Sequence, residues 1–174
     1  MSSIFGCCFK APELLVGSGP LVAMAEREAG EDGRTGLYGE LTALMCWSAV
    51  AHCAYKAGSI TEKKCENIKN LDVANSEAYV TTADTEVKDA SVMSDVPAGS
   101  FLGFFNGDTI VHGMLALGKG RAAGNKNSCI GIGAHLGWQI LDLAADLHWH
   151  AAGGFWDGWR RLTIHYRPLD AYQQ

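Results

Sequence analysis

A cysteine and a histidine in this chain have the residue types and setting of a catalytic pair. Cys46 stands at the head of an alanine-rich segment with helical spacing, and His112 follows 66 residues later inside a predicted β-hairpin. A thiol becomes a strong nucleophile as its thiolate, and a helix N-terminus and a nearby imidazolium both lower its pKa. The pattern therefore favours nucleophilic chemistry, with the sulfur as nucleophile and the imidazole as base.

The spacing of apolar residues changes from helical to strand-like after Pro97, and this change predicts the hairpin that carries His112. Residues 101–105 and 109–117 are two apolar runs, and Asn106 and Gly107 between them are a strong two-residue turn signal. Alternation along the second run puts four side chains on one face: Ile110, His112, Met114 and Ala116. We expect the helix that begins near Cys46 to cover this face, and the backbone N–H of Cys46 to supply an oxyanion hole.

The remaining elements support an α+β fold in which a helix packs on a small antiparallel β-sheet. Helical spacing is found in residues 40–57, 62–70 and 136–147, and strand character in residues 129–132 and 162–166. Residues 76–89 are rich in Thr, Val and acidic side chains, which is compatible with a strand or a mobile flap.

The chain of 174 residues is predicted to form one domain. Glycine-containing breaks interrupt residues 1–36, which we expect to be an irregular N-terminal arm. Residues 37–174 are expected to hold the folded domain and its site.

Composition excludes several classes of partner. The net charge is −5 and the basic residues form no stripe, which argues against a nucleic-acid surface. No apolar run approaches the roughly 18 residues of a membrane span. The first residues lack the pattern of a secretory signal peptide, so the chain is expected to be made in the cytoplasm, where its six cysteines need not pair.

Metal and cofactor chemistry have weak support. His148 and His150 could be read as a metal pair with Asp142 and Asp146, but the chain has none of the ligand spacings typical of zinc sites. We therefore predict a site without metal or cofactor.

Three segments, in order, resemble the NlpC-type papain-like cysteine peptidases. Residues 46–60 are similar to the family's nucleophile helix, which begins at the cysteine and ends in a Tyr-Lys-x-Ala-Gly-like tail. Residues 97–105 look like its Pro-Gly-Asp-Leu-Val-Phe-Phe strand, with Ser100 in place of the acidic residue. Residues 111–120 look like its His-Val-Gly-Ile-Tyr-Leu-Gly-Asn-Gly hairpin.

The resemblance implies a papain-like (NlpC-type) fold and a Cys–His hydrolase. Carried over to this sequence, Cys46 is the nucleophile and His112 is the general base that later protonates the leaving amine. The family's third polar residue, which orients the imidazole, falls at Asn125, with Asn127 as the alternative. Trp47 and Ser48, next to the nucleophile, are the predicted substrate-binding residues, and Trp47 is expected to form one wall of the cleft.

The family most often cuts peptide bonds in the stem peptides of the bacterial cell wall. The resemblance therefore implies a peptidoglycan endopeptidase or amidase, exported by a specialised secretion system as an antibacterial effector with a cognate immunity or inhibitor protein. The alternatives are a host-directed cysteine protease, deamidase or acyltransferase that acts on a protein, and a non-catalytic binding module on the same scaffold.

Overall fold

The computed structural model describes residues 18–70 and 86–169 of the chain. Its helices are α1 Ser18–Ala29, α2 Gly36–Ala43, α3 Cys46–Lys56, α4 Glu62–Lys69, α5 Ala90–Asp95 and α6 Leu143–Asp146, with a 3₁₀ helix at Asn127–Ile130. Its strands are β1 Glu86–Val87, β2 Ser100–Asn106, β3 Thr109–Gly118, β4 Arg121–Gly124, β5 Gln139–Asp142, β6 His148–Trp149, β7 Phe155–Trp156 and β8 Arg161–Pro168.

The strands form an antiparallel sheet in the order β5-β4-β3-β2-β8-β7-β6, and β1 also pairs with β8. The α+β class is therefore confirmed. The predicted hairpin is also confirmed as β2 and β3, and its two-residue loop is Gly107 and Asp108, because Asn106 still pairs with Thr109. Gly107 has a φ of +61°, which glycine adopts without steric cost.

The sheet separates two apolar cores. On one face, α3 packs against β3, α1 against β4 and β5, and α4 against α3, and the core between them includes Phe101, Phe105 and Leu115. On the other face, α5, α6 and β7 enclose Leu102, Phe104 and their neighbours. Alternate residues of β2 and β3 thus belong to different cores, as the two-residue period of a strand requires.

The helix predicted over residues 40–57 is broken into α2 and α3. Leu44 and Met45 are both extended, with ψ values of 162° and 160°. The side-chain amide of Asn125 donates to the carbonyl oxygens of Leu41, Thr42 and Leu44, at 2.8–3.0 Å, and so satisfies the end of α2. The break makes Cys46 the first residue of α3.

Residues 18–36 do not form the predicted irregular arm. They contain α1, whose Leu21 and Ala25 are fully buried in the core. The indole N–H of Trp138 donates to the carbonyl of Ala25 at 3.0 Å, and Glu26 forms an ion pair with Arg121 of β4 at 2.9 Å. The described part of the N-terminal region therefore belongs to the domain, while residues 1–17 lie outside the described residues.

Two further elements differ from expectation, and two agree. Residues 129–132, predicted as a strand, form the end of the 3₁₀ helix and the turn after it, and the helix predicted over 136–147 is replaced by a loop, β5 and α6. The predicted helix at 62–70 and strand at 162–166 are confirmed as α4 and β8. Of residues 76–89, only 86–89 are described, and β1 is the element they contain.

Candidate functional site

The sulfur of Cys46 lies at the head of α3, where helix N–H groups have no intrahelical partner. Met45 occupies the N-cap position without making a side-chain cap hydrogen bond. The backbone N–H groups of Gly113 and Trp47 donate to the sulfur. The side chain of Cys46 is only 2% exposed. The sulfur is thus held by backbone donors in a nearly closed position.

The sulfur lies against the backbone of β3 at Gly113, the residue after His112. The pairing of β3 with β2 includes His112 and Gly113. The pairing of β3 with β4 does not reach these two residues, because it ends at Leu115, which pairs with Ala123. The β4 side of β3 is therefore open to the head of α3 at the peptide unit that joins His112 to Gly113. The N–H of this peptide unit belongs to Gly113, and it donates to the sulfur.

Gly113 allows this close approach because it has no side chain. A Cβ at this position would lie 2.8 Å from Cζ of Phe101 and 3.0 Å from Cβ of Trp47. Glycine inside a strand often marks such a close approach of backbone. The residue after His112 therefore belongs to the candidate site, although the sequence reasoning did not single it out.

The ring of His112 projects from the face of the sheet opposite α3. Gly113 faces Trp47 of α3, so the preceding residue faces away. The imidazole is fully buried and lies 5.4 Å, centroid to centroid, from the ring of Phe104 in the second core. The expectation that α3 covers the His112 face was therefore wrong. Cys46 and the imidazole of His112 therefore lie on opposite faces of β3, and the residue of this strand that acts on the sulfur is Gly113, through its backbone N–H.

A register shift in the hairpin also changes the expected grouping on this strand. The pairing shifts between Phe104 and Phe105, so that Phe104 faces His112 and Phe105 faces Ile110. Val111 is the extra residue, and Ile110 consequently packs in the first core with the helices. Met114 and Ala116 lie in the second core, on the His112 face, as predicted.

Asn127 determines which nitrogen of His112 carries the proton. The amide of Asn127 donates from Nδ2 to the carbonyl of Gly124 at 3.0 Å, which directs Oδ1 toward the imidazole. The Nε2–H of His112 donates to this oxygen across 3.1 Å. In the neutral ring the proton is then on Nε2, and Nδ1 has the free lone pair. Nδ1 is buried and has no hydrogen-bond partner among the described residues.

Asn125, the first choice for orienting the imidazole, has a different role. Its Nδ2 donates to three carbonyl oxygens at the α2–α3 junction, and its Oδ1 accepts the backbone N–H groups of Lys126 and Gly137. These bonds use the whole hydrogen-bonding capacity of the amide. The choice of Asn125 was therefore wrong, and the alternative, Asn127, contacts the ring.

Burial keeps both members of the pair neutral in the resting state. It raises the pKa of the Cys46 thiol to about 11, although the N–H groups of Gly113 and Trp47 act in the opposite direction. Burial lowers the pKa of His112 to about 4, against the smaller opposing effect of the bond to Asn127. Near neutral pH the site therefore contains a neutral thiol and a neutral imidazole whose Nδ1 is unprotonated.

The residues flanking the nucleophile are less accessible than the sequence suggested. Trp47 is partly buried and packs against the first core, and its backbone contacts Gly113. Ser48 is buried at 7% exposure, which leaves Trp47 as the better placed of the two predicted substrate-binding residues. Cys129, which sequence reasoning treated as incidental, is exposed and close enough to Cys46 for its charge to raise the pKa of that thiol.

The described part of the chain has neither a metal-binding cluster nor a membrane-spanning helix. Across residues 18–70 and 86–169, no group of three or more His, Cys, Asp or Glu side chains is placed to hold a metal ion. None of the helices in these ranges has the length and apolar character required to cross a membrane.

The chain was also compared with known proteins. No family model, curated protein or solved structure matches it.

Proposed function

We propose that the protein is a cysteine hydrolase that cleaves amide bonds. Cys46 is the nucleophile, His112 the general base and then the general acid, and Asn127 the positioning residue. One observation carries the proposal: Nδ1 of His112 is buried without a hydrogen-bond partner among the described residues, and the backbone N–H of the next residue, Gly113, acts on the Cys46 sulfur. A buried polar atom without a partner is costly, and a catalytic role is one reason for which such an atom is retained.

The reaction begins from the neutral pair. As the sulfur attacks the carbonyl carbon of the amide, the thiol proton moves to Nδ1 of His112 and a C–S bond forms. The imidazolium then gives this proton to the leaving nitrogen, the C–N bond breaks, and a thioester remains on Cys46. Water next attacks the thioester while Nδ1 takes its proton, and return of this proton to the sulfur releases the acid and restores the thiol.

Backbone N–H groups at the head of α3 assist the same steps. The N–H of Cys46 is the candidate donor to the oxyanion of the tetrahedral intermediate, a contribution on the order of 3 kcal/mol when well aligned. The N–H groups of Trp47 and Gly113 stabilise negative charge on the sulfur as its proton leaves. The site thus offers donors for both charges that develop during acyl transfer.

The resemblance to NlpC-type peptidases extends the proposal to fold and substrate. It supports a papain-like arrangement of α3 on the sheet, and stem peptides of peptidoglycan as the substrate class. Export by a specialised secretion system as an antibacterial effector, with a cognate immunity protein, belongs to the same proposal.

The test compares two buried cysteines of one helix. Cys46→Ala is expected to abolish cleavage of purified muropeptides, because it removes the nucleophile, and to leave thermal unfolding close to that of the unaltered protein. Cys53→Ala is the matched control: Cys53 is also fully buried in α3 and its pKa is raised to about 12, mainly by burial, but it does not contact the site residues. This control should retain activity.

Fragment masses identify the bond that is cut. New amino and carboxyl termini within the stem peptide support an endopeptidase. Cleavage that persists in Cys46→Ala would disprove the assignment of the nucleophile. Muropeptides left unchanged by the unaltered protein would rule out the cell wall as substrate, and a peptide library assayed in parallel would then decide whether any amide bond is cleaved.

A further inference from the structure

A cleft adjoins the Cys46 site on the side of Cys129. It has a volume of about 370 Å³ and is lined by Ser128, Cys129, Gly131, Asp157, Trp159 and Arg160. Ser128 and Cys129 directly follow Asn127, which holds the catalytic imidazole. Cys129 is exposed, and its charge acts on the Cys46 thiol, so the cleft lies near the proposed nucleophile.

The walls of the cleft fit closely together. The backbone at Gly131 has a φ of +80°, and a Cβ there would be 2.4 Å from the carbonyl oxygen of Asp157. The Asp157 carboxylate accepts the backbone N–H groups of Trp159 and Arg160 at 2.8 and 2.9 Å, and the Arg160 Nε–H at 3.2 Å. The loop that carries Trp159 is therefore tied at three points, and glycine is needed where it meets the 3₁₀ helix.

This loop presents a large aromatic side chain to solvent. Trp159 is 89% exposed, the highest value among the large apolar side chains of the described residues. An indole held outward by a constrained loop at the rim of a cleft is typical of a binding surface, because it offers a large contact area at a small entropic cost.

Arg160 is the lining residue that can bind an anion. Burial of Asp157 acts to raise its pKa, but the N–H groups of Trp159 and Arg160 outweigh this effect, so the pKa is lowered and the carboxylate is ionised and internally bonded. Arg160 uses Nε for its ion pair with Asp157, while 42% of its side chain is exposed. Its terminal nitrogens are thus placed to bind a carboxylate of a ligand.

We propose that this cleft is a substrate subsite that binds a carboxylate-bearing residue of the peptide next to the scissile amide. Trp159 stacks on the peptide, and Arg160 binds the carboxylate. The inference rests on the proposed hydrolase function and adds the determinants of specificity, Trp159 and Arg160, to it.

Binding is measured on the Cys46→Ala protein, so that no turnover is needed. The probes are two peptides, acetyl-Ala-Glu-Ala-amide and its glutamine analogue, titrated by calorimetry. The glutamate peptide is expected to bind at least about tenfold more tightly, since a charge-assisted contact to arginine is lost in the analogue. Trp159→Ala is expected to weaken both peptides by about tenfold or more.

Neighbouring residues supply matched controls. Arg160→Gln should remove the preference for glutamate, whereas Arg161→Gln, a change of the same charge at an exposed neighbour, should leave it intact. Trp156→Ala, at a tryptophan that is 47% exposed and does not line the cleft, should leave both affinities unchanged. Equal affinity for the two peptides, or unchanged affinities in Trp159→Ala, would disprove the subsite.

The same variants separate the subsite from the hydrolase. Selective binding of the glutamate peptide by Cys46→Ala, together with no amide cleavage by the unaltered protein, would retain the subsite and reject the hydrolase. Amide cleavage whose KM is unaffected by Trp159→Ala would retain the hydrolase and reject the subsite.

Discussion

Asn125 and Asn127 are two buried amides, two residues apart, that bind different parts of the protein. Asn127 accepts the Nε2–H of His112, whereas Asn125 ties the end of α2 to the loop after β4. Asn127→Ala is expected to lower kcat by about 100-fold with little change in KM, because the imidazole loses its fixed tautomer and orientation. Steady-state kinetics on a cleaved peptide measures both constants.

The neighbouring amide supplies the control. Asn125→Ala leaves three carbonyl oxygens without their donor and should destabilise the fold by about 1–3 kcal/mol, while the folded fraction keeps a kcat near that of the unaltered protein. If both variants lost kcat in proportion to their loss of stability, Asn127 would have no positioning role.

At the scale of elements, the site depends on how closely α3 approaches β3. Gly113→Ala places a Cβ 2.8 Å from Phe101 and 3.0 Å from Trp47, so the first turn of α3 has to move away from the strand. Overpacking of this kind costs about 1–3 kcal/mol. The same displacement separates the Cys46 sulfur from the Gly113 N–H. We therefore expect loss of activity even under conditions in which the variant is fully folded, as measured by kcat/KM alongside chemical denaturation.

A glycine in α2 provides the comparison for Gly113. A Cβ at Gly39 meets nothing within 4 Å, so Gly39→Ala should leave activity unchanged and stabilise the helix by up to about 1 kcal/mol. Full activity in folded Gly113→Ala would show that the close approach of α3 to β3 is not required for catalysis.

The elements that were predicted correctly are those whose signal is local. The β2–β3 hairpin follows from two apolar runs around a turn, and α4 from a short helical pattern with Thr61 as its cap. The break between α2 and α3 has no such signal, because the apolar spacing continues through it and the break is stabilised by Asn125, 80 residues further on. The helical spacing of residues 136–147 was coincidental, since β5 pairs there with β4.

In the candidate site, too, some residues have a local sequence signal and others are identified only by the fold. Cys46 and His112 were identified from residue type and context, and their pairing in catalysis stays a prediction, since the imidazole lies on the face of β3 opposite α3. The choice between Asn125 and Asn127 depends on the turn after Gly124, where the chain enters the 3₁₀ helix, and no sequence spacing distinguishes the two. The sequence likewise did not identify Trp159 as a binding residue, because only its exposure beside a cleft does so.

At the scale of the whole molecule, burial of His112 between the sheet and the second core couples stability to pH. Its pKa is about 4 in the folded protein, against an ordinary value of 6.5. Unfolding therefore takes up a proton at pH values between these two, and stability is complete above about pH 6.5 and is lost as the pH falls toward 4. Between about pH 7.5 and about pH 5 this single group should remove about 2 kcal/mol from the free energy of unfolding.

The measurement compares the unaltered protein with His112→Leu in urea unfolding across this pH range. Burial also lowers the pKa of His165, against the opposing charge of Glu86, so both proteins retain that contribution and the difference between them isolates His112. The Leu variant should show a shallower dependence on pH, by about 2 kcal/mol over the range. Curves of equal slope would mean that the imidazole is solvated in the folded protein, and the resting site could then no longer be described as a neutral thiol and a neutral base.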